Sequence, residues 1–371
     1  MYSQQELDDA VAAGAITADS ANALRAFISK QRSASIVDEE QFRLITGFND
    51  IFVALASVIL LVAVSWIGQV IGEGINLVVS NDGPSPLGGA ALAATAWGLA
   101  TYFTAKRRMA LPSIVLLIAF AIGVMWTSFT TLALPLPDDA SDAAQGLVTA
   151  AAAAITAGGA WLHWKRFKVP ITIAVGAAAV SGIVAALVAA AVGDALTGGQ
   201  METLMLSTVL VLGLGVFALA MRWDGSDPER VTRRSDVAFW LHLLAAPMIA
   251  HPVFNLLGLT DGNASIAEAF VVVGIYVALG IAALAIDRRA LLVSGLAYVL
   301  YAIAELFEEF GAIGLNIALT ALVIGSALLL LSAFWHQARH AVIGFLPAGL
   351  AAKLPPLHSL TPPAVSHAPD A

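Results

Sequence analysis

Between Asp50 and Glu73 the chain runs IFVALASVILLVAVSWIGQVIG without one charged side chain, and apolar runs of this kind recur almost to its end. Hydrocarbon contains no water to satisfy backbone N–H and C=O groups. An apolar run of about 20 residues therefore has one ready solution, a helix that crosses the bilayer. About ten stretches reach or approach that length: Ile51 to Ile71, Leu87 to Ala105, Ala110 to Leu134, Gly146 to Trp164, Val169 to Val192, Thr203 to Met221, Val237 to Gly258, Ile266 to Ile286, Ala290 to Ala304 and Ala312 to Phe334. With 59% hydrophobic and only 12% charged residues among 371, the chain falls outside the usual range for a soluble domain. The fold class predicted is all-α, a polytopic transmembrane helical bundle of about ten spans.

The polar remainder lies mainly at the two ends. Residues Tyr2 to Arg32 read as two short helices: Ser3 and Glu6 are spaced as a capping box, Gly14 is placed to end the first helix, and Thr17 to cap the second. Leu24, Phe27 and Ile28 then share one face. Two helices of that size bury little surface, so the hairpin is expected to lean on the membrane domain or on a protein partner. Three regions follow: a small N-terminal cytosolic helical hairpin with its connector over 1–46, a transmembrane helical domain over 47–336, and a cytosolic proline-rich tail over 337–371. No basic n-region precedes an apolar run at the start, so the first span is expected to direct insertion.

Charge fixes the expected orientation. If the N-terminus is inside, all 18 Lys and Arg fall before the first span, in the inner turns at Lys106 to Arg108, Lys165 to Lys168, Arg222 to Arg234 and Arg288 to Arg289, or after the last span. The outer turns hold acids such as Glu73, Asp82, Asp138, Asp194 and Asp261 and no base. Retention of Lys and Arg on the cytoplasmic side gives cytoplasmic N- and C-termini. Trp161, Trp164, Trp223, Trp240 and Trp335 gather near the same boundary, where interfacial indoles belong. Three inner turns, KRRMALPS, KRFKVPIT and DRRALLVS, each run a basic cluster straight into the next helix. In the fifth span Ala178, Gly182, Ala186 and Ala190 recur at four-residue steps, a face that lets a neighbouring backbone come close.

Candidate chemistry is sparse. The chain has no Cys, which removes disulfides, thiolate catalysis and Cys-ligated metal. The stretch from Arg222 to Gly258 is the least ordinary: a mixed-charge loop, expected to be a solvated turn, leads into a span carrying Asp236, His242, Pro247, His251, Pro252 and Asn255. His251 and Asn255 share a face, whereas His242 lies about half a turn out of phase with His251. That helix can line a solute or proton path, or be a kinked helix whose His251 bonds to a neighbouring span. In the ninth span Ser294, Tyr298, Tyr301, Glu305 and Glu308 form one polar stripe, which could bind a cation or proton or could simply be an acidic helix end in outer water. Gln69, Glu73 and Asn76 could join it in an outward vestibule or extend the first span into solvent. His336 and His340 are one turn apart, yet a metal needs a third and fourth ligand and no carboxylate is near in sequence. No HExxH, GxSxG or Walker A pattern occurs.

Leu7, then Ala13 to Thr17, then Ala21 and Leu24 resemble the helical hairpin that opens the predicted membrane proteins of domain-of-unknown-function family 2157, and the basic inner turns and the closing LPAGLAAKLPP extend the likeness. The resemblance implies a bacterial inner-membrane protein and supplies no catalytic residues. The function expected is that of a non-enzymatic membrane scaffold or regulator acting through its cytosolic hairpin, with the lipid bilayer and a cytosolic protein as partners. Neither nucleic acid nor a cofactor or metal is expected. The alternative is a secondary transporter of a small solute or cation, with His251, Asn255, Tyr298, Tyr301, Glu305 and Glu308 lining its path.

Overall fold

A computed structural model describes residues 11, 13–24, 48–80, 83–137, 139–227, 230, 232–257, 266–289, 291–292, 296, 299–300, 303, 316–347, 349 and 354. The chain divides into two units, one of residues 1–44 with 358–371, the other of residues 45–357. In the first unit Gly14 takes a left-handed conformation, φ 69°. Thr17 Oγ1 accepts from the Ser20 N–H at 3.1 Å, so it caps the helical turns over 18–24 as its residue type predicts. Phe27 and Ile28 of the expected hairpin face lie outside the described residues.

The described residues of the second unit form helices joined by turns, with no strand among them. Its helices are α1 (Phe48–Gly74), α2 (Pro86–Phe103), α3 (Ala110–Ala133), α4 (Asp142–Phe167), α5 (Ile171–Val192), α6 (Gly198–Gly225), α7 (Arg233–Leu256), α8 (Ile266–Ile286), α9 (Asn316–Ala333) and α10 (Trp335–Phe345). Six of them, α1 and α3 to α7, are long and apolar enough to cross a membrane. Residues 318–333 and 335–345 meet at 79° and add a seventh crossing if they form one span. Most of the expected ninth span, Ala290 to Ala304, lies outside the described residues. Large apolar side chains stand on the outside of the helices, with Ile59 71% and Trp66 72% exposed. That is the polarity of a bundle solvated by lipid.

Small residues set the helix pairing, as they must where apolar burial gives neighbouring helices no net attraction in lipid. A Cβ on Gly68 would lie 2.5 Å from the Leu87 carbonyl oxygen, holding α1 against α2. Gly123 on α3 would meet the Ala93 nitrogen at 2.6 Å, and Gly146 on α4 would meet the Ala190 Cβ at 2.7 Å. The small-residue face of α5 is thus the face applied to α4. Gly213 on α6 lies against Met248 on α7, where a Cβ would come within 2.9 Å of the Met248 carbonyl oxygen. Pro252 removes the N–H that would otherwise bond that carbonyl. Even so, α7 continues unbroken through Pro247 and Pro252.

The connections are short and capped. Ser85 Oγ accepts from the Leu87 N–H and Pro86 opens α2, while Thr197 and Gln200 form a capping box at α6. Gln69 is absorbed by the α1–α2 turn: its amide donates to the Gly83 carbonyl at 3.0 Å and its carbonyl accepts from Ser85 N–H at 2.7 Å. Three basic turns turn on a left-handed residue, Arg108, Lys168 and Asp287. These turns place the basic residues together at one end of the helices, called here the basic end.

Candidate functional site

Among the described residues, charged side chains brought by separate helices meet at the basic end, between α6, α7, α8 and α10. Helix α6 extends past its apolar portion to Asp224, whose side chain is buried. The chain then reverses tightly: Asp227 accepts from the Thr232 N–H at 2.9 Å and hydroxyl at 2.7 Å, and Thr232 caps α7 through the Arg234 N–H. This fold-back sets His242, on the third turn of α7, beside Asp224. His242 Nε2 lies 3.1 Å from Asp224 Oδ2. A carboxylate only accepts, so that nitrogen is the one carrying the proton.

The third member arrives from α8. Asp287 adopts a left-handed conformation, φ 61°, and the Arg288 N–H bonds back to the Ala283 carbonyl at 2.8 Å, turning Arg288 inward. Its guanidinium donates through Nε to Asp224 Oδ2 at 3.1 Å, through Nη2 to Asp224 Oδ1, and to the carbonyl and hydroxyl of Ser235 at 3.3 Å each. Arg288 is 2% exposed and His242 0% exposed. A bidentate, nearly dry guanidinium–carboxylate pair therefore joins the ends of α6, α7 and α8.

Asp287 makes a second centre alongside. It accepts from Arg230 Nη1 at 2.9 Å and from the Trp335 indole at 2.7 Å, with Arg339 Nη1 3.8 Å away. Arg230 also donates to the Ile286 and Asp287 carbonyls at 3.1 Å, satisfying the exposed end of α8. Burial pushes the Asp287 carboxyl up, but Arg230, the Trp335 indole and Arg339 outweigh it and hold the group below the ordinary carboxylate range. Burial, then the like charge of Arg288, lowers the Arg230 guanidinium, with Asp287 and Asp224 opposing. Helix α10 thus carries the packed chain on to Phe345, with Trp335 and Arg339 buried.

This cluster departs from the solvated loop expected of mixed charge at Arg222 to Arg234: Asp224 and Asp227 are 4% and 5% exposed. Its chemistry is that of a latch. Three guanidiniums, Arg230, Arg288 and Arg339, face the carboxylates of Asp224 and Asp287, and His242 Nδ1 is buried with no hydrogen-bond partner, beside the Phe217 ring at 5.3 Å. An Asp–His pair can serve a nucleophile only if the far nitrogen faces one; here it faces none among the described residues.

A second buried histidine stands in α4. His163 is 1% exposed, its Nδ1 lies 3.2 Å from Thr172 Oγ1, and rings of Trp97, Phe120 and Phe167 surround it at 5.9, 5.7 and 4.6 Å. His163 escaped the sequence reading. The tripeptide Trp-Leu-His occurs at 161–163 and again at 240–242, and that repetition could have found it.

The other candidates are dispersed. His251 is exposed, and Asn255 Nδ2 lies 3.1 Å from its Nδ1, one turn along the same helix. As the phase difference predicts, it is apart from His242. Tyr298, Tyr301, Glu305 and Glu308 lie outside the described residues. No group of three or more His, Asp or Glu that could hold a metal occurs among the described residues. Comparison with protein-family models, with curated proteins and with solved structures finds no match.

Proposed function

We propose that the chain is a non-enzymatic scaffold or regulator of a bacterial inner membrane, a bundle of about ten spans with both termini in the cytoplasm and a cytosolic N-terminal hairpin that engages a protein partner. The observation that carries this reading is the closed ionic latch. Buried charges from the end of α6, the loop before α7, the turn after α8 and α10 are paired with one another, so these groups hold the helix ends together instead of lining a path. At mid-depth Gly213 against Met248 leaves no gap between α6 and α7. The basic turns support the orientation, since every Lys and Arg then lies on the cytoplasmic side. The hairpin's resemblance to family 2157 supports the inner membrane as the location.

The alternative, a secondary transporter, requires water at mid-membrane. The chain has no Cys, so single cysteines at Leu244, Met248 and His251 can be probed in sealed vesicles with an impermeant maleimide. A closed bundle leaves positions 244 and 248 unreactive until detergent is added, with reaction confined to 251 near the helix end. Reaction at 244 or 248 from water in intact membranes would replace scaffolding by transport.

A further inference from the structure

Beside the latch lies a cavity of about 180 Å³, lined by Tyr276 of α8, Arg289, Leu292 and Leu296 beyond it, Leu328, Leu331 and Ser332 of α9, and Trp335 of α10. Apolar cavities of about 150 Å³ already stay dry and accept apolar guests. Among the described lining residues one is charged, and it sits at the basic end. Arg289 stacks over the Trp335 ring with its Cζ 4.9 Å from the centroid. Unlike Arg288 and Arg230, it has no carboxylate partner among the described residues. From Tyr276 to the end of α8 is roughly 15 Å along the axis, half of a hydrocarbon core of about 30 Å. The described lining thus spans about the depth of one leaflet and is mainly apolar, with the Arg289 guanidinium, which has no carboxylate partner among the described residues, and the Trp335 indole at the level of the headgroups.

We propose that this cavity binds an anionic phospholipid, one acyl chain lying along Leu292, Leu328 and Leu331 and the headgroup phosphate accepting from Arg289. A guanidinium held over an indole keeps its donors free for a phosphate, which supplies the acceptor that no described carboxylate gives it. A soluble anion would satisfy Arg289 but leave the apolar length dry and unfilled. A zwitterionic lipid would fill it while bringing its own cation to Arg289. The site follows from membrane embedding alone and is independent of scaffolding or transport.

The test uses the full chain in a neutral detergent, titrated with dioleoyl phosphatidylglycerol or dioleoyl phosphatidylcholine, with bound lipid read by native mass spectrometry. The glycerol lipid should bind about fivefold more tightly, because both headgroups offer Arg289 a phosphate and only the choline lipid also brings a like charge beside it. Arg289→Gln should erase that preference and Arg289→Lys should retain much of it. Ser332→Trp, at the exposed rim of the cavity, should weaken both lipids. Displacement of the bound lipid by glycerol phosphate would overturn the proposal in favour of a simple anion site. Equal retention of the two lipids, or binding unchanged by Ser332→Trp, would reduce the lipid to an ordinary surface coat. If Arg289→Gln does not fold, the wild-type preference and Ser332→Trp still decide.

Discussion

Asp224 is the residue on which the basic end depends, because it is the shared acceptor for Arg288 and His242. Removing one partner of a buried pair strands the other, whereas replacing both by apolar side chains can be nearly neutral. Asp224→Ala is therefore expected to destabilise by about 3–5 kcal/mol. The double variant Asp224→Leu with Arg288→Met should recover much of that loss, measured by unfolding in detergent; equal losses in both would show that the ion pair is not what holds the site. Asp287 adds a pH dependence whose sign is fixed. Its folded value is depressed, so its contribution is fully present above the unfolded value of about 3.9 and fades as pH falls through the lower folded value. The acid limb of stability should begin near pH 4 and be shallower in Asp287→Asn, in a thermal-unfolding series against pH. None of these pairings was legible in sequence, since Asp224 and Arg288 stand 64 residues apart. Mixed charge in a short loop reads as solvent exposure until a second helix end is known to cover it.

At the scale of the helix, the apolar runs were legible because the bilayer sets their length, and the ends were legible where a capping residue marks them, as Ser85 and Thr197 do. The face that each helix presents was legible only where small residues repeat, as on α5. Gly213 shows why the rest was not: it lies in VLGLGVF with Gly215 two residues on, and composition does not distinguish them. Yet a Cβ at 213 would meet Met248 at 2.8 Å, while one at 215 meets nothing within 4 Å. Gly213→Ala is therefore expected to lower stability by about 1–3 kcal/mol, as overpacking does. Gly215→Ala should be neutral or slightly stabilising, because it only removes backbone freedom. Equal effects at the two positions, measured by thermal unfolding in one detergent, would mean that α6 and α7 are not packed as described.

For the whole molecule, charge asymmetry and helix alternation make one joint claim. Every turn carrying a base belongs to one end of the bundle, and the turns at Ser80, Ala140 and Gly198 belong to the other. If Lys and Arg are retained in the cytoplasm, that end faces the cytoplasm, and with it the latch, the two buried Trp-Leu-His histidines and the mouth of the Arg289 cavity. Single cysteines at Arg107, Arg166 and Ser226 should then react with an impermeant maleimide only in inverted vesicles, and cysteines at Ser80, Ala140 and Gly198 only in intact cells. The two sets constrain each other, because an added or missing crossing between α1 and α6 would move every later position to the opposite side. A switch of side after α2 would remove that helix as a crossing while leaving the six longer apolar helices in place. A complete exchange of the two sets would instead keep the bundle and invert it, turning the Arg289 cavity to the outer leaflet, where its lipid would have to be sought.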